Sequence, residues 1–108
     1  MTDVDRQWWL YLIRCADGSL YTGISTDPER RLAEHQAGGV RAARYLRGRG
    51  PLQLVYCSPA GCRATAGRVE YCVKRLSLAR KRALVDSGEA VQQWLHHGGG
   101  RSNDTGDK

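Results

Sequence analysis

The most compact apolar run of the chain, Trp8-Trp9-Leu10-Tyr11-Leu12-Ile13, is aromatic and branched, short, and cut off at Ala16-Asp17-Gly18. Such a run predicts a strand buried on both faces. Ser19 to Ile24 reads as a second strand, which makes Asp17-Gly18 part of a hairpin turn. The length of that turn fixes the register. A three-residue loop Ala16-Asp17-Gly18, with Gly18 in the left-handed region, pairs Ile13 with Tyr21 and Tyr11 with Gly23, putting both phenols on one face. A two-residue Asp17-Gly18 turn pairs Arg14 with Tyr21 and separates them. The first register is the working expectation.

Helical signals follow. In Thr26-Asp27-Pro28-Glu29 either Thr26 or Asp27 can cap, Pro28 suits a first turn, and Thr26 with Glu29 fits a capping box. A helix is expected to about Ala37, ended by Gly38-Gly39, with Arg31 and His35 projecting from one face. The segment from Val40 to Gly50 is Arg-rich and Gly-broken, with room for a short helical turn, and Leu52 to Cys57 forms a third strand. Ala66, Val69, Val73 and Leu76 follow helical spacing between Cys62 and Leu76, and place Glu70 at the edge of the apolar stripe. A short helix from Leu78 to Asp86 and a turn from Ala90 to Leu95 complete the pattern, and no internal repeat is visible. The polar, Gly-rich stretch 97–108 reads as a disordered tail, and 1–7 as a lead-in to a domain spanning 8–96.

Size and charge narrow the picture. At 108 residues the chain is about one domain. Its formal charge is +6, but from Pro28 to Arg82 thirteen Lys and Arg face three acids. No acid occurs from Gln36 through Val69, where Arg41, Arg44, Arg47, Arg49, Arg63 and Arg68 fall, and Glu70 then interrupts the basic field. A polyanion such as nucleic acid is the leading inference; a solvated basic face, or a face for an acidic protein partner, explains the charge equally well on its own. No segment approaches the ~18 apolar residues of a membrane helix, and Met-Thr-Asp-Val-Asp does not resemble a signal peptide, so a cytoplasmic location without membrane contact is expected. Cys15, Cys57, Cys62 and Cys72 lack zinc-site spacing and are expected to be reduced, mostly buried thiols.

The candidate chemistry lies in the order of the polar residues. Tyr11, Tyr21, Arg31, His35 and Glu70 can together build a phosphodiester-cleaving site, since that reaction needs an activated water, charge stabilisation at phosphorus and help for the departing oxygen. A phenol with a reference pKa near ~10 is a poor base unless nearby cations favour the phenolate, and the adjacent arginines make that shift the expectation. Each residue alone has a duller explanation as a strand tyrosine, a solvated arginine or a structural histidine; the joint order is the signal.

With those residues in place, the chain resembles the GIY-YIG nuclease family over roughly Trp9 to Val85, Trp9-Leu10-Tyr11 standing for the first motif and Tyr21-Thr22-Gly23 for the second. It is similar to the small single-domain bacterial members. Gly48-Arg49-Gly50-Pro51-Leu52 with Glu70-Tyr71 resembles the branch that includes structure-specific DNA-resolving nucleases. Arg31, eight residues after Gly23, falls on the family's catalytic arginine, His35 on a position often held by histidine, and Glu70 on the metal-binding glutamate. Two departures stand out. The first motif lacks the family's glycine, and the asparagine some members carry late in the domain has no counterpart, since Asn103 lies in the tail. A separate DNA-binding domain, present in larger relatives, is also missing from this sequence.

The resemblance implies a small α/β sandwich of the α+β kind, with a central three-stranded antiparallel sheet flanked by helices. It implies a metal-dependent endonuclease of the phosphodiester hydrolase class acting on DNA, structure-selective or weakly sequence-selective, with Mg²⁺ or Mn²⁺ on Glu70, Arg31 on the scissile phosphate, and a tyrosine as general base or water-orienting group. Branched, flap or single-stranded DNA are the expected partners, and no organic cofactor is expected. Arg41, Arg44, Arg47 and Arg49 are candidates to guide the backbone, and Tyr45 to stack on an unpaired base or simply to pack. The alternative is a non-catalytic nucleic-acid-binding protein that retains the nuclease fold.

Overall fold

The computed structural model describes residues 6–97. Strands β1 (Trp9–Arg14) and β2 (Leu20–Ser25) are followed by helix α1 (Pro28–Ala37), a single 3-10 turn (Arg44–Leu46), strand β3 (Gln53–Pro59), and helices α2 (Arg63–Lys74), α3 (Leu78–Ser87) and α4 (Val91–His96). The three strands form one antiparallel sheet in the order β2-β1-β3, as expected. The stretch 98–108, the greater part of the expected tail, and residues 1–5 of the lead-in lie outside the described residues.

The hairpin takes the three-residue loop. Cys15 N–H donates to the Ser19 carbonyl and Gly18 N–H to the Cys15 carbonyl, each at 2.9 Å, with Gly18 at φ 87°. A side chain is strained at that φ, so glycine is what lets the short loop close. Tyr11 therefore pairs with Gly23 and Ile13 with Tyr21. Against β3 the ladder slips between Leu12 and Ile13, which pair with Tyr56 and Leu54, leaving Val55 as an extra residue.

Because β1 is central, alternate side chains enter two separate cores. Leu10 and Leu12 join Tyr56, Ala66, Val69, Val73, Leu84, Val91 and Trp94 beneath α2, α3 and α4. Tyr11, Ile13 and Cys15 join Leu46 and Leu52, flanked by Leu32 of α1, Ala43, Leu54 and Tyr21. The strand is thus buried on both faces as its sequence predicts.

Local details depart from the sequence expectation in three places. The capping box does not form: Asp27, immediately before Pro28, is the N-cap, its Oδ1 accepting the Arg30 N–H at 3.1 Å, which leaves Thr26 one residue outside the cap position. Strand β3 begins one residue later and runs two further, to Pro59, since Ala60 N–H and the Trp8 carbonyl continue the contact at 2.8 Å. The cysteines are not mostly buried. Cys15 is, but Cys62 is half-buried and Cys57 and Cys72 are exposed, Cys72 because Val69 and Val73 take the inward face of α2. At the far end, Ser58 Oγ accepts the Val91 N–H at 3.0 Å and Tyr56 Oη donates to the Glu89 carbonyl at 2.5 Å, so the sheet supplies the cap that Ala90 cannot.

Candidate functional site

Strand alternation and the hairpin register bring Tyr11 and Tyr21 onto the face covered by α1, with ring centroids 6.4 Å apart. Helix α1 then lays His35 against both, at 6.3 Å from Tyr11 and 5.6 Å, edge-on, from Tyr21. Tyr11 is 1% exposed and His35 2%. A buried phenol and a buried imidazole each need partners, and they find one another: Tyr11 Oη and His35 Nε2 are 3.1 Å apart.

The other ring nitrogen fixes the direction of that bond. Ala43 N–H donates to His35 Nδ1 at 3.0 Å, so Nδ1 carries a lone pair and the ring proton sits on Nε2. Nε2–H therefore donates to Tyr11 Oη. Burial, reinforced by Arg31, holds His35 below the ordinary histidine value and keeps this neutral tautomer in place at neutral pH.

Gly23 is explained by the same ring. A Cβ built on Gly23 would overlap Tyr11 Oη and come within 2.5 Å of Tyr11 Cζ. The backbone φ at Gly23 is not in the left-handed region; the requirement is space for the phenol lying across the strand.

The expected drift of the tyrosine toward phenolate is reversed at Tyr11. Burial pushes its phenol well above the ordinary tyrosine value, helped by Tyr21, and the Arg31 guanidinium opposes this without overcoming it. Tyr11 is a neutral phenol. Tyr21, on the edge strand, is half-buried and more open to solvent.

Arg31 lies on the same face of α1 as His35. Its Nη1 donates to Glu34 Oε1 at 2.9 Å and to the Arg41 carbonyl at 2.5 Å. Glu34 was not singled out from the sequence, although an acid three residues after a candidate arginine on a helix was the available signal. The Arg31 bond in turn holds the Glu34 carboxyl below the usual range. Glu70 comes from α2, which packs on β2 and β1. Its side chain is 24% exposed, near enough to Tyr11 to add to the upward push on the phenol, and its Oε2 lies 3.4 Å from Lys74 Nζ.

Among the described residues no three His, Cys, Asp or Glu side chains gather as a metal cage. A single half-buried carboxylate suits a hard cation that keeps most of its waters, and does not suit zinc.

The arginine segment is more tied down than its sequence implies. Arg41, Arg44 and Arg47 are exposed, Arg47 Nη2 donating to the Gly39 carbonyl at 3.3 Å. Arg49 instead pairs with Asp17 of the hairpin turn at 2.8 Å and lies 4.2 Å over the Tyr45 ring. Tyr45, 43% exposed, stacks on Tyr21 at 5.9 Å. The aromatic set therefore runs from buried Tyr11 and His35 through Tyr21 to surface Tyr45. Of the described helices, none is long and apolar enough to cross a membrane.

Comparison with known proteins identifies the family of the domain. The model of the GIY-YIG catalytic domain matches residues 7–83. The chain is 53% identical to a UPF0213 protein of Cronobacter sakazakii over 73% of its own length and 81% of that protein. It is 50% identical to the UPF0213 protein YhbQ of Escherichia coli over 82% of its length and 86% of the relative. The solution structure of protein EF2693 from E. faecalis, 30% identical, superposes with a TM-score of 0.53 over 80% of this chain and 90% of that one. With the paired tyrosines, the motif glycine and the domain match all in place, the chain belongs to the GIY-YIG family.

Proposed function

We propose that this chain is a divalent-metal-dependent endonuclease that hydrolyses DNA phosphodiester bonds and grips phosphate more than base sequence, with branched, flap and single-stranded DNA as the first substrates to try. The observation that carries the reading is the convergence of two tyrosines and a tautomer-fixed histidine on one sheet face, with Arg31 beside them and the carboxylate of Glu70 close enough to act on Tyr11. Membership of a family of nuclease domains supports it.

Within this site Arg31 stabilises charge on the scissile phosphate, giving up its bond to the Arg41 carbonyl or to Glu34 as the phosphate arrives. His35 holds Tyr11 by donating to its oxygen, which leaves the phenol proton of Tyr11 to orient a water or a phosphate oxygen. A neutral phenol with a raised pKa does not itself take the proton at neutral pH, so Tyr11 is a positioning donor. Glu70 would hold Mg²⁺ or Mn²⁺, which when bound supplies electrophilic stabilisation of the phosphate and lowers the pKa of its own waters.

One observation favours the non-catalytic alternative: both key charged groups are internally engaged, Arg31 with Glu34 and Glu70 with Lys74. A cleavage assay separates the two. Labelled branched and single-stranded DNA is incubated with the protein and Mg²⁺, Mn²⁺ or EDTA, beside Glu70→Ala and Arg31→Ala. Metal-dependent cleavage lost in both variants is expected. Cleavage that survives unchanged in either would defeat the assigned site, and binding without cleavage under every metal condition would establish the alternative.

A further inference from the structure

At the outer edge of β2 the structure has a second polar feature that the cleavage chemistry does not use. Helix α2 ends at Lys74 and, after the short link through Ser77, α3 turns back and presents Lys81. The two lysines, with Leu20, Tyr21, Thr22 and Tyr45, line a hollow of about 270 Å³. Tyr21 is a wall shared with the Tyr11 and His35 cluster, so the hollow adjoins the candidate cleavage site.

Its chemistry is one-signed. None of the residues lining it carries a carboxylate; Glu70 reaches Lys74 from one helical turn back. Lys81 is partly buried, and that burial together with the charge of Lys74 holds its ammonium below the ordinary lysine value. Of these two like charges, Lys74 has the Glu70 carboxylate at 3.4 Å. Thr22, 2% exposed, also lines the hollow, and its hydroxyl has no hydrogen-bond partner. An anion offering several acceptor oxygens relieves the repulsion and gives the ammonium groups acceptors.

We propose that Lys74 and Lys81 form a phosphate subsite that seats a neighbouring, non-scissile phosphodiester of the DNA strand, extending the strand's path from the Arg41–Arg49 segment past Tyr45 and Tyr21 to α3. The proposal rests on the nucleic-acid reading of this face but not on turnover. Lys81 is the clean probe, because Lys74 touches Glu70.

The experiment measures anisotropy of a fluorescein-labelled single-stranded oligonucleotide bound to the full chain in EDTA, titrated from about 50 to about 200 mM salt. Lys81→Ala is expected to weaken binding about tenfold at low salt and to make the salt slope shallower by about 0.7, the value for one lost contact on a single strand. Lys81→Arg keeps the slope. Arg68→Ala loses the same charge from the opposite side of α2, two residues from Glu70, and leaves affinity and slope alone. Melting curves check folding, and Lys81→Gln, which keeps most of the aliphatic stem, replaces the alanine variant if that one fails to fold. Wild-type affinity and slope in Lys81→Ala, or in Lys81→Gln where that replaces it, overturn the subsite, as does an equal loss in Arg68→Ala, which marks a bulk-charge effect. Lost binding in Lys81→Ala or Lys81→Gln without any metal-dependent cleavage by the wild type leaves the subsite standing and sinks the nuclease reading instead. A wild-type chain that does not bind the oligonucleotide even at low salt overturns both.

Discussion

The two faces of β1 differ by single steps of sequence and by kind of chemistry. Leu10 and Leu12 enter a core of aliphatic and aromatic side chains under three helices, held by packing apart from the Tyr56 hydroxyl, which donates to the Glu89 carbonyl. Tyr11, one position away, enters a core that also contains an imidazole, and there a hydrogen bond and a tautomer decide the arrangement. The apolar face tolerates rearrangement that conserves volume; the tyrosine face has one solution for each polar atom. The difference teaches where this small domain keeps its stability and where it keeps its chemistry.

Arg31→Ala breaks the comparison most sharply if it is right. It is expected to lower cleavage about 100- to 1,000-fold, the usual cost of removing one charge-stabilising donor, while leaving the melting temperature nearly unchanged, because the side chain is partly exposed. Leu12→Ala should do the reverse, losing about 2–5 kcal/mol of stability in a denaturant titration with little change in turnover per folded molecule. If Leu12→Ala instead abolished turnover in fully folded protein, the two faces would not be separable.

Gly23→Ala sits between them. The added methyl collides with the Tyr11 ring, which is too buried to swing clear, and an overpacked site of this kind costs about 1–3 kcal/mol. Cleavage should fall with it, since the phenol is displaced from His35. An alanine variant as stable and as active as wild type would show that Tyr11 has more freedom than its burial implies.

The smallest effect is on pH. His35 has a folded pKa below its unfolded value, so between the two the unfolded chain binds the extra proton and stability falls as pH drops below about 6.5. Above that value the contribution is fully present. Melting temperatures compared at pH 7.5 and 5.5, both approximate settings on either side of that window, should fall further for wild type than for His35→Gln. Parallel falls would mean that His35 does not resist protonation.

Much of the fold was legible because it is written locally. Gly18 sets the loop length, loop length sets the register, and register puts Tyr11 opposite Gly23; each step involves neighbours in sequence. Helix α1 announced itself through Pro28 and Gly38. The Tyr11–His35 bond was not legible, because it spans 24 residues and depends on how α1 crosses the sheet. For the same reason the expected drift of a tyrosine toward phenolate does not hold at Tyr11: Arg31 does favour it, but the burial that outweighs that arginine is not written in the local sequence. Arg49 illustrates the converse. As a member of a basic run it reads as a free phosphate ligand, yet the hairpin turn supplies Asp17 as its partner. Lys74 and Lys81 fall on different helices, and only the α2–α3 turn makes them neighbours.

The amide of Ala43 carries a last consequence. It belongs to the segment between α1 and β3, yet it determines which nitrogen of His35 holds the proton. Any outward displacement of this segment removes the donor from Nδ1 and releases the ring to its other tautomer, in which Nε2 accepts from Tyr11 and the phenol becomes the donor. Because such linkage is reciprocal, the protonation pattern around Tyr11 must in turn bias the position of the segment by the same free energy. The segment between α1 and β3 and the buried phenol are two ends of one equilibrium, joined by a single N–H.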